Sequence, residues 1–136
     1  MKYKVLITDP ISDSGISILK NNNCDIIDCI NDKNKIDEII SEIDGWIIRS
    51  GTKISSDNIK MANKLQVIGR AGVGIDNIDI KAATKHGVVV MNVPDGNSIS
   101  AAEHTMAMIL GLSRNLHLGH STLVAGSWER ANLIGN

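Results

Sequence analysis

Phenylalanine is absent from the sequence, and aromatic residues make up only 2% of it. A core therefore has to be assembled from Ile, Leu, Val and Ala, within the 43% of residues that are apolar. That fraction belongs to a folded globular domain and not to a disordered segment. Neither sign of charge is in excess. The formal net charge of -1 argues against a general nucleic-acid or acidic-membrane binder, since both need a basic surplus. No apolar run reaches the roughly 18 residues of a membrane-spanning helix, and the opening MKYKVLITDP reads as a strand and not as a signal peptide. Cysteines number two, Cys24 and Cys29. A disulfide between them is one reading, and reduced thiols in a cytoplasmic protein are the favoured one. No further Cys or His stands at ligand spacing, so no metal is expected. A soluble cytoplasmic chain of 136 residues, long enough to bury a core, is the expectation.

What is present is a succession of short apolar, β-rich runs: KVLIT (4–8), CDIID (24–28), GWIIR (45–49), LQVIG (65–69) and GVVVMNV (87–93). Between them lie helical spacings. Ile11, Ile16, Ile18 and Leu19 suit a first helix capped by Ser12 or Asp13. Ile36, Ile39, Ile40 and Ile43 predict a second. Ile59 with Ala62, and Ile80 with Ala83 and Thr84, predict two shorter ones. Strand and helix in alternation imply right-handed crossovers and a parallel sheet covered on both faces, an α/β fold. After Pro94 the pattern changes to one long helical stretch over 99–118, with Ser100 and Glu103 at capping-box spacing. That helix is apolar over most of its girth, so it needs cover on nearly all sides, and with little chain following it the cover is expected from a further domain or a partner. Residues 121–136 show no clear element.

Residues 69–79, GRAGVGIDNID, carry three glycines in six residues. A dinucleotide-phosphate loop needs G-x-G-x-x-G between a strand and a long helix, with an acidic residue about 20 positions on. Here Gly72 and Gly74 supply the first two glycines, but Asn77 stands in the third place, the next helical segment is short, and no suitable acid follows. Position suggests another use, because ligands of parallel α/β sheets bind beyond the carboxyl ends of strands. Arg49, Arg70 and Asn97 each follow a strand at that edge. The two guanidiniums, with Gly72 allowing close backbone approach and the helix start at 98–100 adding N–H donors, make a candidate anion pocket. The competing reading pairs both arginines with carboxylates such as Asp9 or Asp76.

The stretches IIRSGTKI (47–54), GRAGVGIDNID (69–79) and PDGNSISAAEH (94–104), in this order, resemble the D-isomer-specific 2-hydroxyacid dehydrogenases over essentially the whole chain. The PDGNS turn is similar to the branch that acts on a small phosphorylated hydroxy acid. The resemblance implies a flavodoxin-like doubly wound substrate domain over 1–97. It implies a long helix and arm over 98–136 that open an NAD-binding domain. It further implies NAD as cofactor, substrate-anion contacts at Arg49, Arg70, Gly72 and Asn97, and Val73 approaching the nicotinamide end of NAD. In the tail, SWER resembles an arm reaching a neighbouring subunit, with Trp128 as its anchor and Arg130 beside the partner's substrate phosphate. A homo-oligomer, a dimer in the simplest case, is thus expected through residues 99–130. The dinucleotide loop and the catalytic Arg, Glu and His of the family are expected after residue 136, so no catalytic residue is expected in this chain and no hydride transfer by it alone. His86 is expected at the surface, His104 in a buried helix face, and His117 with His120 lack a third zinc ligand. Two classes of function stand: the substrate-side part of an NAD-dependent dehydrogenase for this or another hydroxy acid, or a stand-alone anion-binding or oligomerisation module.

Overall fold

A computed structural model describes residues 2–135; Met1 and Asn136, the outer bounds of the two expected segments, lie outside the described residues. The chain divides into two compact units, Met1–Gly96 and Asn97–Asn136.

The first unit is built on five strands: β1 (Tyr3–Ile7), β2 (Cys24–Asp28), β3 (Gly45–Ile48), β4 (Val67–Arg70) and β5 (Val89–Met91). Every pairing is parallel and the order is β2-β1-β3-β4-β5, the flavodoxin-like arrangement of doubly wound sheets. The expected fold class is therefore the observed one. Four helices connect the strands: α1 (Asp13–Asn21), α2 (Ile36–Ile39), α3 (Ser56–Met61) and α4 (Ile80–Lys85). The first connection steps one way along the sheet and the other three step the opposite way. Right-handed crossovers therefore put α1 on one face and α2, α3 and α4 on the other.

The core lies mainly on that second face. Leu6, Trp46, Ile48 and Ile68 point from the strands into a cluster with Ile36, Ile40, Ile59 and Ala83 from the helical connections. Nearly continuous apolar strands are what a buried parallel sheet requires, and Val5, Leu6 and Ile7 in succession are all buried. Trp46, the one large aromatic of this core, is 1% exposed. Capping follows side-chain chemistry. Ser12 accepts from the Gly15 N–H, Asp79 from the Ala82 N–H, and Ser55 with Asn58 forms a reciprocal box at the start of α3. The Cys24 and Cys29 thiols are free. Burial first, then the carboxylates of Asp32 and Asp28, push the Cys29 thiol up, which keeps it protonated and unreactive at neutral pH.

The predicted second helix is corrected to one turn. Only Ile36–Ile39 is α-helical, between two 3₁₀ turns, and Ile43 is already extended at φ -80°, ψ 140°. Ile36, Ile40 and Ile43 are buried all the same. The chain has to leave the helix early because the Asp44 N–H donates to the Lys4 carbonyl and the Asp44 carboxylate accepts the Lys4 N–H, anchoring the entry to β3.

In the second unit the predicted single helix over 99–118 is two: α5 (Ser98–Ser113) and α6 (Leu116–Val124). Between them Asn115 is left-handed, at φ 50° and ψ 36°, a conformation that asparagine tolerates and that ends helices as glycine does. The tail in which no clear element was expected thus supplies the last four of the nine residues of α6 and a 3₁₀ turn, Arg130–Asn132. The predicted Ser100–Glu103 box is absent: α5 begins after Asn97, and the Ser100 hydroxyl donates to the Asn97 carbonyl. The apolar surface of α5 is exposed, with Ile99 at 76% and Leu112 at 65%. His104, expected to be buried, is exposed with it, as are His117 and His120. Among the described residues no helix is long and apolar enough to cross a membrane.

Candidate anion site at the carboxyl edge of the sheet

The carboxyl end of β1 organises this edge. Thr8 and Asp9 are buried, Asp9 at 5% exposure. One Asp9 carboxylate oxygen accepts the Arg49 backbone N–H at 2.7 Å, and the other accepts from Lys33 Nζ at 3.2 Å. The Lys33 ammonium spends its remaining two donors on the Gly51 carbonyl at 2.9 Å and the Thr52 hydroxyl at 3.0 Å. Thr52 Oγ1 lies 3.0 Å from Thr8 Oγ1, which accepts the Trp46 indole N–H at 3.0 Å. A buried carboxylate is tolerable only when its oxygens are satisfied in this way. Gly51 is needed for close approach, since a Cβ there would stand 2.7 Å from the buried Asp9 Oδ1.

Burial by itself would push the Asp9 carboxyl up. The Arg49 N–H, Thr52 and Lys33 together outweigh it and hold the group below the ordinary carboxylate range.

Arg49 follows β3, and Arg70 ends β4 in register with Ile48. Parallel pairing therefore delivers both arginines to one sheet edge, where they line a cavity of about 680 Å³ bounded by Ile11 and Leu19 on one side and Met91 and Val93 on the other. No carboxylate is among its lining residues. The competing reading, in which acids neutralise both arginines, is not observed. Asp9 is engaged by the Arg49 backbone and by Lys33, and among the described residues neither guanidinium takes part in an ion pair. Arg49 Nη1 reaches only the Pro10 carbonyl, at 3.5 Å, and Arg70 Nε is buried with no partner. Two under-used cations against apolar walls are chemically suited to a small anion.

The loop after Arg70 is tied down from below. Gly72 donates to the Arg70 carbonyl at 2.8 Å and accepts from the Val93 N–H at 3.0 Å, while the Val73 carbonyl accepts from Asn92 Nδ2 at 2.7 Å. A Cβ at Gly72 would fall 2.2 Å from Arg70 Nη1, where the guanidinium folds back over the loop, so a side chain there would displace the guanidinium from this position. Neither Gly72 nor Gly74 is among the glycines with positive φ. With the Arg70 guanidinium over Gly72, the Asn77 amide bonded to the Arg49 and Thr52 carbonyls and only the six-residue α4 following, this loop does not fit a dinucleotide's phosphates.

The other predicted contacts belong to the second unit. Asn97 precedes α5 and makes no side-chain cap, and Arg130 opens the final 3₁₀ turn, exposed. Trp128, expected to anchor the arm, is 77% exposed. His86 is exposed, as expected, with Nδ1 2.9 Å from the Ala82 carbonyl. Among the described residues no group of three or more His, Cys, Asp or Glu is placed to hold a metal. Sequence reasoning missed Lys33 and Thr52 as parts of the edge, took Asp9 only as a partner for the guanidiniums, and read Asn77 only as a departure from a motif. A glycine at 51 beside an acid at 9 was the one available signal, and it shows only once β1 and β3 are paired.

The model of the D-isomer specific 2-hydroxyacid dehydrogenase catalytic domain matches residues 5–131. D-3-phosphoglycerate dehydrogenase of Methanocaldococcus jannaschii is 43% identical over 97% of this chain and 25% of its own length. The chain thus spans about a quarter of the curated relatives it matches. The NAD+-bound 3-phosphoglycerate dehydrogenase of Entamoeba histolytica is similar at TM-score 0.70 and 32% identity, over 84% of this chain and 40% of that one. The D-lactate dehydrogenase of Aquifex aeolicus, complexed with NAD and lactic acid, shares the fold at TM-score 0.85 and 20% identity, over 98% of this chain and 40% of that one.

Asp9 makes stability depend on pH with a defined sign. Its carboxyl is held down in the folded state, so its contribution is complete above the ordinary carboxylate range and is lost as pH falls through that range and below. Urea denaturation of Asp9→Asn at a series of pH values is expected to show a smaller loss of stability between about pH 5 and pH 3 than the unsubstituted chain. Equal acid limbs for the two proteins would contradict the assignment.

Proposed function

The chain belongs to the D-isomer specific 2-hydroxyacid dehydrogenases, and from that premise we propose that it is the substrate-side part of an NAD-dependent D-3-phosphoglycerate dehydrogenase. The whole protein would oxidise 3-phospho-D-glycerate to 3-phosphohydroxypyruvate in the cytoplasm, as the entry step of serine biosynthesis from glycolysis. The observation that carries this reading is the pair of guanidiniums that, among the described residues, have no ion-pair partner and stand on an apolar cavity that no carboxylate lines. The substrate has a carboxylate and a phosphate, and the planar fork of arginine matches either one bidentately. Arg49 and Arg70 hold and orient those anionic groups, and Gly72 leaves the Arg70 guanidinium its space.

Asn97 and Arg130 join the proposal as further substrate contacts, and Val73 as a contact to the nicotinamide end of NAD, all three on the family resemblance. On the family resemblance, no catalytic residue is assigned within residues 1–136. By itself the chain binds and does not transfer hydride.

Titration calorimetry with 3-phosphoglycerate tests the anion site. Arg49→Ala and Arg70→Ala are each expected to weaken binding by at least roughly 1.5 kcal/mol, the worth of a charged hydrogen bond. Superimposable curves for both variants and the unsubstituted chain would refute it.

Homo-oligomerisation through residues 99–130 is part of the same reading. Met106, Ile109, Leu112, Leu116 and Trp128 are all exposed, and apolar surface of this extent marks an association face. Sedimentation at micromolar concentration is expected to show an assembly, and a 14.6 kDa monomer would count against it.

A further inference from the structure

Asn77 stands where a dinucleotide fingerprint would place its third glycine, and its side chain has a task of its own. Asn77 Nδ2 donates to the Arg49 carbonyl at 2.7 Å and to the Thr52 carbonyl at 2.5 Å, so both of its protons are used. Its Oδ1 is buried without a partner among the described residues. That asymmetry fixes the orientation of the amide: the reverse placement would press Oδ1 against two carbonyl oxygens. From the opposite side, Asp9 accepts the Arg49 N–H at 2.7 Å. Both backbone hydrogen-bonding groups of Arg49 are therefore held by side chains, one from the end of β1 and one from the loop after β4. The main chain adds support where the Ile54 N–H donates to the Asn77 carbonyl and Ile54 bridges Ile78.

From this geometry we infer that Asn77 is a positioning residue for the anion site, fixing the Arg49 backbone so that its guanidinium reaches the cavity beside Arg70. The inference rests on the reading of Arg49 as a substrate-anion ligand. It makes residues 69–79 a single device, in which Arg70 is one ligand and Asn77 holds the other. The residue that breaks the dinucleotide motif is the one that couples the two strand ends. Asn77 acts through Arg49 and touches no substrate.

Two substitutions separate donor chemistry from packing. Asn77→Ala removes both hydrogen bonds, and Asn77→Asp keeps the shape while facing two carbonyls with an acceptor. Without any ligand, ¹⁵N relaxation of the backbone amides is expected to show residues 49–52 becoming mobile in both variants, with residues 70–72 unchanged. Unchanged order at 49–52 would overturn the inference.

With 3-phosphoglycerate as probe, Asn77→Ala is expected to weaken binding about tenfold, and to have little further effect in the Arg49→Ala background. Equal losses in both backgrounds would mean a general disturbance of the loop and would also overturn it. If the unsubstituted chain does not bind 3-phosphoglycerate, the proposed function fails, and the relaxation data alone decide the role of Asn77. If neither variant folds, amide exchange on the unsubstituted protein takes their place. Protected Asn77 side-chain protons support the clamp, and freely exchanging ones overturn it.

Discussion

A carboxylate almost sealed from water at the end of β1 is the constraint on which this edge of the sheet depends. Asp9 cannot stay buried and charged unless each oxygen is bonded, and its partners come from far along the chain: the Arg49 N–H and the Lys33 ammonium. Lys33 then reaches Gly51 and Thr52, and through Thr52 the network meets Thr8 and the indole of Trp46. The site edge and the core are thereby joined. Removing one member leaves a buried polar group without its partner, which is the costly case for such networks.

What stands on that edge follows from parallel pairing. Strands running the same way deliver their carboxyl ends, and the residues after them, to one side of the sheet. Arg49 and Arg70 arrive there from adjacent strands. Because Asp9 takes the backbone of Arg49 and not its guanidinium, the charge remains available to a ligand. Gly72 works in the same direction by leaving room for the Arg70 guanidinium. Glycine, asparagine and a buried acid thus keep two cations in place without neutralising them.

The strands were legible in the sequence because a buried parallel strand is an apolar run, and local runs can be read directly. Arg49 and Arg70 were legible as strand-end cations for the same reason. The second helix misled because Ile36, Ile39, Ile40 and Ile43 keep helical spacing while only their burial is real: the pairing of Asp44 with Lys4 pulls the chain out of helix. The break at Asn115 was hidden because apolar periodicity continues on both sides of one left-handed residue. The Asp9 network was beyond local reading altogether, since its bonded partners are 18 to 44 positions apart and periodicity carries no information over that distance.

The most direct test of the anion site is a map of where 3-phosphoglycerate touches the chain, obtained from amide and arginine side-chain shifts in an NMR titration. Saturable changes centred on Arg49, Arg70 and Gly72 are the predicted result. Changes centred elsewhere, or none at millimolar ligand, would contradict the assignment of this cavity as the substrate's binding site.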